Sequence, residues 1–220
     1  MAGGASTRRF FRVEQGSLRA VAMLIPEADR TGAGASPLAA HGQEPFLQVR
    51  ALLQSRGVAV PALLGQACDD GLILVEDLGD DTLESILHRA PERRDALYRQ
   101  AVADLVHAQK ALDPIPERSI VRTRALDEDL LGWELAHFRE WGLEARGVQL
   151  SPGEREALDR ELVYLATTIA SLRRGFVHRD YQCRNLMVRR AAGNRVELVW
   201  IDFQDALLGP RAYDLVALLA

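Results

Sequence analysis

Short apolar runs separated by turn residues fill the first 80 positions and predict a small, mostly antiparallel sheet. Such runs, bounded by glycine, proline or polar clusters, are typical of strands. Between the second and third runs, apolar residues recur every three to four positions, which is the period of an amphipathic helix. We predict strands at 9–13, 18–25, 58–64 and 72–76, a loop at 26–42 and a helix at 45–55.

The rest of the chain has mainly helical periodicity. Ser151, Pro152 and Glu154 form a capping-box pattern with proline at the first helical position. We predict helices at 82–88, 93–111, 125–141, 152–173 and 214–219, and a strand at 196–201. The sequence therefore predicts an α+β protein with a small sheet-containing lobe at 1–79 and a mainly helical lobe at 80–220.

One segment has the residue types and spacing that phosphoryl transfer requires. Residues 178–185 are His-Arg-Asp-Tyr-Gln-Cys-Arg-Asn, and Ile-Asp-Phe follows at 201–203. This matches a kinase catalytic loop followed by a metal-binding aspartate on a later strand. Asp180 is placed to accept the proton of an acceptor hydroxyl. Asn185 and Asp202 offer the oxygen ligands that Mg²⁺ prefers.

Each of these residues alone has an ordinary structural explanation. Asp180 fits a helix cap and Asn185 fits a turn, because aspartate and asparagine favour both. The complete spacing, with apolar strands on both sides and a second aspartate after the later strand, favours a kinase over that explanation.

Composition and charge narrow the function classes. Hydrophobic residues make up 48% and charged residues 26%, as in an ordinary globular protein, and the net charge of −4 disfavours nucleic-acid and anionic-membrane partners. Cys68 and Cys183 are too far apart for a metal motif, and two cysteines build no disulfide framework. With no signal-peptide pattern and no long apolar run, we expect a cytoplasmic protein.

The motifs resemble those of the aminoglycoside phosphotransferase/choline kinase superfamily. Four stretches carry the resemblance: Gly-Ala-Ser-Thr-Arg-Arg-Phe-Phe-Arg at 4–12, Leu-Ile-Leu-Val-Glu-Asp-Leu-Gly at 72–79, the catalytic loop through Met187, and Asp-Phe-Gln-Asp-Ala at 202–206 with its continuation to Leu215. The sequence is most similar to bacterial N-acetylmuramate/N-acetylglucosamine kinases. This resemblance implies a bilobal protein-kinase-like fold. It also implies transfer of the ATP γ-phosphoryl group, with Mg²⁺, to the anomeric hydroxyl of an amino sugar in cell-wall recycling.

The resemblance also implies roles for individual residues. Asp180 would be the catalytic base, and Asn185 and Asp202 the metal ligands. The nucleotide would be held by a phosphate loop and by the segment that joins the lobes: Gly4, Ser6, Thr7, Arg8, Arg9, Glu76, Asp77 and Leu78.

Further residues would support the site. His178 would position the loop, Asp214 would cap a helix and tie the loop down, and Arg184 would neutralise phosphate charge or be solvated. Asp205 would either be a supplementary ligand or hydrogen-bond the catalytic loop. The candidates for contact with the acceptor are Glu134, Trp141, Tyr181 and Gln182.

Two departures from the kinase pattern keep other functions open. Of 27 basic residues only Lys110 is a lysine, so the strand at 20–24 lacks the usual phosphate-binding lysine. Mg²⁺, backbone N–H groups or Arg8 or Arg9 would have to replace it. The chain also appears shorter than its relatives at both ends. The alternatives are an aminoglycoside, choline or homoserine-type kinase, and a nucleotide-binding pseudokinase.

Overall fold

The computed structural model describes residues 8–27, 44–190 and 196–219. It begins with a four-stranded antiparallel sheet of order β1-β2-β4-β3. The strands are β1 (Arg9–Gln15), β2 (Leu18–Leu24), β3 (Leu63–Ala67) and β4 (Leu72–Glu76). The sheet confirms the strand-rich start that the apolar runs predict.

Helix α1 (Pro45–Ser55) covers the sheet, as the periodicity of its apolar residues predicts. Phe46, Val49 and Leu53 lie on its buried face. Proline at the first helical position suits the helix start because that residue needs no backbone donor.

The predicted strand at 58–64 is wrong, since β3 begins only at Leu63. Pro61 has no backbone N–H for a sheet ladder. Val58 and Val60 are buried in the core without belonging to a strand. Burial, not strand pairing, therefore explains why this segment is apolar.

The second part is mainly helical, as predicted. Its helices are α2 (Leu83–Arg89), α3 (Arg94–Ala111), α4 (Ile120–Thr123), α5 (Glu128–His137), α6 (Pro152–Ala170) and α7 (Tyr213–Leu219). The capping box of Ser151 and Glu154 at the start of α6 is confirmed. The helix predicted at 125–141 is shorter, because a π-helical turn at Phe138–Leu143 replaces its end.

Two antiparallel strand pairs within the helical part position the candidate site. β5 (Arg174–Val177) pairs with β8 (Leu207–Pro210), and β6 (Leu186–Arg190) pairs with β7 (Val196–Trp200). The loop from β5 to β6 and the loop from β7 to β8 therefore lie next to each other.

The largest group of buried apolar residues includes members from both the sheet and the helical part, among them Ile73, Leu105 and Trp200. The architecture is the predicted α+β one, while the division at residue 79 stays a prediction. Within the part of the chain that the structure describes, no helix combines the length and apolar character needed to cross a membrane.

Candidate active site

The segment 178–185 forms the loop between β5 and β6, and we call it the catalytic loop. Both strands are largely buried, so the ends of the loop are fixed in the core. Arg179 has a φ of 80°, a left-handed conformation that is unfavourable for a residue other than glycine. Such a conformation persists only where surrounding contacts impose it.

Asp214 supplies those contacts from the start of α7. Its Oδ2 accepts the backbone N–H of His178 at 2.7 Å, and its Oδ1 accepts that of Arg179 at 3.0 Å. The side chain is fully buried, and burial raises the pKa of Asp214 to about 7, although the two N–H donors oppose the rise. These two hydrogen bonds are the contacts expected of a residue that ties down the catalytic loop, and this role of Asp214 stays a prediction.

His178 is also fully buried, and burial lowers its pKa to about 4. Its Nδ1 accepts the backbone N–H of Asp180 at 3.3 Å. The neutral imidazole of His178 therefore holds the backbone of the catalytic loop through this hydrogen bond. This arrangement is compatible with a positioning role for His178, which stays a prediction.

Asp180 lies half-buried at the centre of the loop. Burial raises the pKa of its carboxyl group, and the negative charge of Asp202 raises it further. Arg179 and Arg184 act in the opposite direction. The carboxylate of Asp180 thus lies among charges of both signs, as a proton acceptor in a phosphate site requires.

The β6–β7 hairpin brings Asn185 and Asp202 together. Leu186 is paired with Trp200, and the backbone N–H of Ile201 donates to the carbonyl of Asn185 at 3.0 Å. The two residues therefore lie at the same end of one hairpin, although 17 positions separate them. Sequence spacing predicts this proximity, and the strand pairing confirms it.

The side chains of these two residues offer oxygen atoms to the site. Asn185 donates through Nδ2 to the carbonyl of Asp180 at 2.8 Å, so its Oδ1 is the polar atom that remains. Asp202 is exposed and has a φ of 63°. Among the described residues, Oδ1 is its only hydrogen-bonded side-chain oxygen, and it accepts from Nε2 of Gln204 at 2.8 Å. An amide oxygen and a carboxylate oxygen fit Mg²⁺.

Among the described residues, no three His, Cys, Asp or Glu side chains form a metal-binding group. Mg²⁺ commonly takes one or two protein ligands and completes its shell with water and phosphate oxygens. Asn185 and Asp202 are therefore compatible with a magnesium ion that is also bound by nucleotide phosphates. They fit less well a metal ion held by protein ligands alone.

Gln204 and Arg124 organise the loop that contains Asp202. Gln204 is buried and also approaches Oδ2 of Asp205 at 3.3 Å, so one amide group lies between two carboxylates. Arg124 is buried as well and donates to the carbonyl of Gln204 at 2.7 Å. Sequence reasoning missed Arg124, because its separation of 80 positions leaves no local signal. Gln204 stood within a recognised motif but received no role.

Glu134, one of the residues predicted to contact the acceptor, is brought to the catalytic loop by the fold. Its Oε1 accepts from Nη2 of Arg179 at 2.7 Å, and Tyr213 donates to its Oε2 at 3.5 Å. The carboxylate of Glu134 thus holds the side chain of Arg179 next to Asp180. Whether Glu134 also contacts an acceptor stays a prediction.

The prediction that Tyr181 faces the acceptor is wrong. Its ring is fully buried against Trp200, with ring centroids 4.6 Å apart, and its hydroxyl donates to the carbonyl of Ala101 at 2.8 Å. An aromatic residue after the aspartate therefore fixes the loop to α3. Gln182 is partly exposed, whereas Trp141 and Arg184 are exposed, and their predicted roles stay predictions.

The segment predicted to contact adenine follows β4. Glu76 binds Arg189 at 2.7 Å and accepts the N–H of Ala62, while Asp77 binds Arg12 at 2.7 Å. These side chains are engaged in structural contacts. Any base contact by 76–78 would thus be made by the backbone, as predicted.

Only part of the predicted phosphate loop belongs to the residues that the structure describes. Gly4, Ser6 and Thr7 lie outside the described residues. Arg9 is exposed at the start of β1. Arg8 precedes it and forms an ion pair with Glu44, with Nη2 and Oε1 3.3 Å apart. Asp205 makes no hydrogen bond to the catalytic loop among the described residues, and its role stays a prediction.

The model of a phosphotransferase enzyme family matches residues 1–220. The chain belongs to this family. Two curated relatives are named N-acetylmuramate/N-acetylglucosamine kinase. The one from Pseudomonas aeruginosa is 34% identical over 215 residues, which is 97% of this chain and 56% of that protein. The one from Neisseria meningitidis is 30% identical over 223 residues, which is 99% of this chain and 59% of that protein. The chain therefore spans somewhat more than half the length of these relatives.

Solved structures confirm the kinase-like fold. An aminoglycoside 2'-phosphotransferase-IIIa in its GDP complex matches with a TM-score of 0.61 at 18% identity, over 98% of this chain and 73% of that one. A choline/ethanolamine kinase family protein from Mesorhizobium loti matches with a TM-score of 0.56 at 14% identity, over 98% and 61%. Together with the family match, these structures confirm the predicted superfamily and its kinase-like fold.

Proposed function

We propose that this phosphotransferase moves the γ-phosphoryl group of ATP to the anomeric hydroxyl of N-acetylmuramate or N-acetylglucosamine. The observation that carries the proposal is the joint placement of Asp180, Asn185 and Asp202 on two adjacent loops. The names of the two curated relatives support the choice of acceptor. Such a step suits the reuse of amino sugars from the cell wall.

Asp180 acts as the base in this proposal. It accepts the proton of the anomeric hydroxyl as that oxygen bonds to the γ-phosphorus, and the bond from the γ-phosphorus to the bridging oxygen breaks to release ADP. Its raised pKa favours proton uptake. Asp214 and His178 hold the backbone of the loop, so the carboxylate keeps its direction.

Asn185 and Asp202 would hold Mg²⁺, which when bound neutralises phosphate charge. The hydrogen bond from Asn185 to the carbonyl of Asp180 connects this ligand with the base. Arg184 is exposed, and its charge acts on Asp180. We therefore assign to Arg184 a role in balancing phosphate charge.

The test measures release of ADP from ATP, or of GDP from GTP, by the purified protein with Mg²⁺. The acceptors are N-acetylmuramate, N-acetylglucosamine, kanamycin, choline and homoserine. We expect turnover with the two amino sugars and a product whose reducing end is blocked. If kanamycin, choline or homoserine is phosphorylated and neither amino sugar is, the assignment is contradicted. Nucleotide binding without transfer to any of them would favour a pseudokinase.

A further inference from the structure

β2 contains no lysine, although kinase-like folds place a phosphate-binding lysine on the corresponding strand. An ion pair next to the sheet, between the residue before β1 and the residue before α1, has the features that this lysine normally provides. Arg8 lies immediately before β1, and its Nη2 is 3.3 Å from Oε1 of Glu44. The two side chains are only 18% and 13% exposed, so water screens the pair less than it screens a surface pair.

Glu44 occupies the place in the fold from which kinases take the partner of their lysine. That partner is a glutamate on the helix that follows the lysine strand. Glu44 is the residue at the N-terminus of α1, which is the described helix between β2 and β3. Its backbone carbonyl accepts the N–H groups of Leu47 and Gln48, while its side chain makes no capping bond. The carboxylate is directed to Arg8 instead.

The pair is electrostatically coupled to Arg124, which holds the loop that carries Asp202. The buried guanidinium of Arg124 donates to the carbonyl of Gln204 in that loop. The charges that act on this guanidinium are those of Asp205, Arg8, Glu44 and Arg179. Arg8 and Glu44 therefore lie within electrostatic range of Arg124, the residue that holds the loop carrying Asp202. A nucleotide whose phosphates reach Asp202 would bring negative charge close to Arg8.

An arginine suits this task chemically. It stays charged in a partly buried site, and its five donors can serve a carboxylate and phosphate oxygens together. By comparison, Arg19 on β2 pairs with Glu14 on β1, but those side chains are 70% and 56% exposed. The N-terminal part of the fold therefore contains one partly buried arginine–glutamate pair, Arg8 with Glu44, and one solvated pair, Arg19 with Glu14.

We propose that Arg8 and Glu44 replace the lysine–glutamate pair of kinases, with Arg8 binding the α- or β-phosphate of the nucleotide and Glu44 holding Arg8 in place. This inference rests on the proposed function, because it assumes a nucleotide substrate. It assigns the missing lysine's role to a residue outside the strand where that lysine is usually found.

The test measures binding of Mg-ADP by calorimetry. We expect Arg8→Ala to weaken binding at least tenfold, Arg8→Lys to weaken it less, and Glu44→Gln to weaken it several-fold. Arg19→Ala is the matched control and should bind as the parent protein does. Thermal unfolding of each variant verifies that it is folded, and Arg8→Gln serves if Arg8→Ala does not fold.

A charge reversal separates phosphate binding from a structural role. In the double variant Arg8→Glu with Glu44→Arg, the ion pair can form again, so we expect thermal stability to recover while nucleotide affinity stays low. Recovery of both would overturn the inference, and so would parent-like affinity in Arg8→Ala. If the parent protein phosphorylates amino sugars while Arg8→Ala binds Mg-ADP normally, only this inference fails. If Arg8→Ala weakens binding but the parent transfers no phosphoryl group, only the proposed function fails.

Discussion

The carboxylate of Asp214 accepts the backbone N–H of His178 at 2.7 Å, across 36 positions of sequence. With the second bond, from Arg179, one buried side chain fixes two consecutive residues of the catalytic loop. The loop is thereby attached to α7 in addition to the two strands that flank it.

Removing this attachment should damage stability and turnover together. Hydrogen bonds to charged groups contribute about 1.5–3 kcal/mol each. We therefore expect Asp214→Ala to lower the free energy of unfolding by roughly 3 kcal/mol or more, since two bonds are lost. Urea unfolding measures this change. The exposed Asp129→Ala is the control, and equal effects of the two substitutions would contradict the role of Asp214.

The ion pair of Arg179 and Glu134 should affect catalysis more than folding. Both side chains are about a quarter exposed, so the pair alone contributes little stability. Glu134→Gln should release the guanidinium next to Asp180 and lower kcat, while the midpoint of thermal unfolding moves little. Steady-state kinetics with varied ATP and varied sugar tests this. A change confined to the KM of the sugar would show that Glu134 contacts the acceptor instead.

The buried His178 predicts a dependence of stability on pH. Its pKa is about 4 in the folded protein and 6.5 as the ordinary value. The unfolded chain therefore binds more protons between these values, and His178 makes the protein less stable as pH falls from 6.5 towards 4. Burial raises the pKa of Asp214 to about 7, so Asp214 acts in the opposite sense over about the same range.

A variant isolates the histidine contribution. We compare urea midpoints of the parent protein and His178→Gln at pH 7.0, 6.0 and 5.0. The parent should lose more stability than the variant over this range, by an amount on the order of 1–2 kcal/mol at pH 5. Parallel pH profiles would contradict a neutral, buried His178.

Gln204 should influence the metal requirement. Its Nε2 lies between Asp202 and Asp205, and it limits the repulsion of the two carboxylates. Gln204→Leu would remove that donor and let Asp202 change its direction. We expect the Mg²⁺ concentration for half-maximal rate to rise several-fold. Gln182→Leu, on the partly exposed part of the catalytic loop, provides a comparison, and an unchanged Mg²⁺ requirement in Gln204→Leu would contradict this role.

Local patterns predict most of the fold and the joint placement of the candidate site residues. The spacing of Asp180, Asn185 and Asp202 requires only one hairpin, and β6 and β7 supply it. Helix caps such as Ser151 act within one turn, so the sequence predicts them well.

Long-range contacts and the cause of burial were harder to predict. The apolar run at 58–64 packs in the core without forming most of a strand, because burial and strand pairing select the same residue types. Tyr181 is predicted from the sequence to contact the acceptor, but its ring is buried in the core. The partners of Arg124 and Glu44 lie 80 and 36 positions away, beyond any local pattern.

The most direct test of the central claim compares Asp180→Asn with the parent protein in two measurements. The first is Mg-ATP-dependent phosphorylation of N-acetylmuramate, and the second is binding of Mg-ADP. The account predicts that the variant loses at least a hundredfold in turnover, as loss of a general base does, while its Mg-ADP affinity stays within a few-fold. Turnover equal to that of the parent protein would contradict Asp180 as the base.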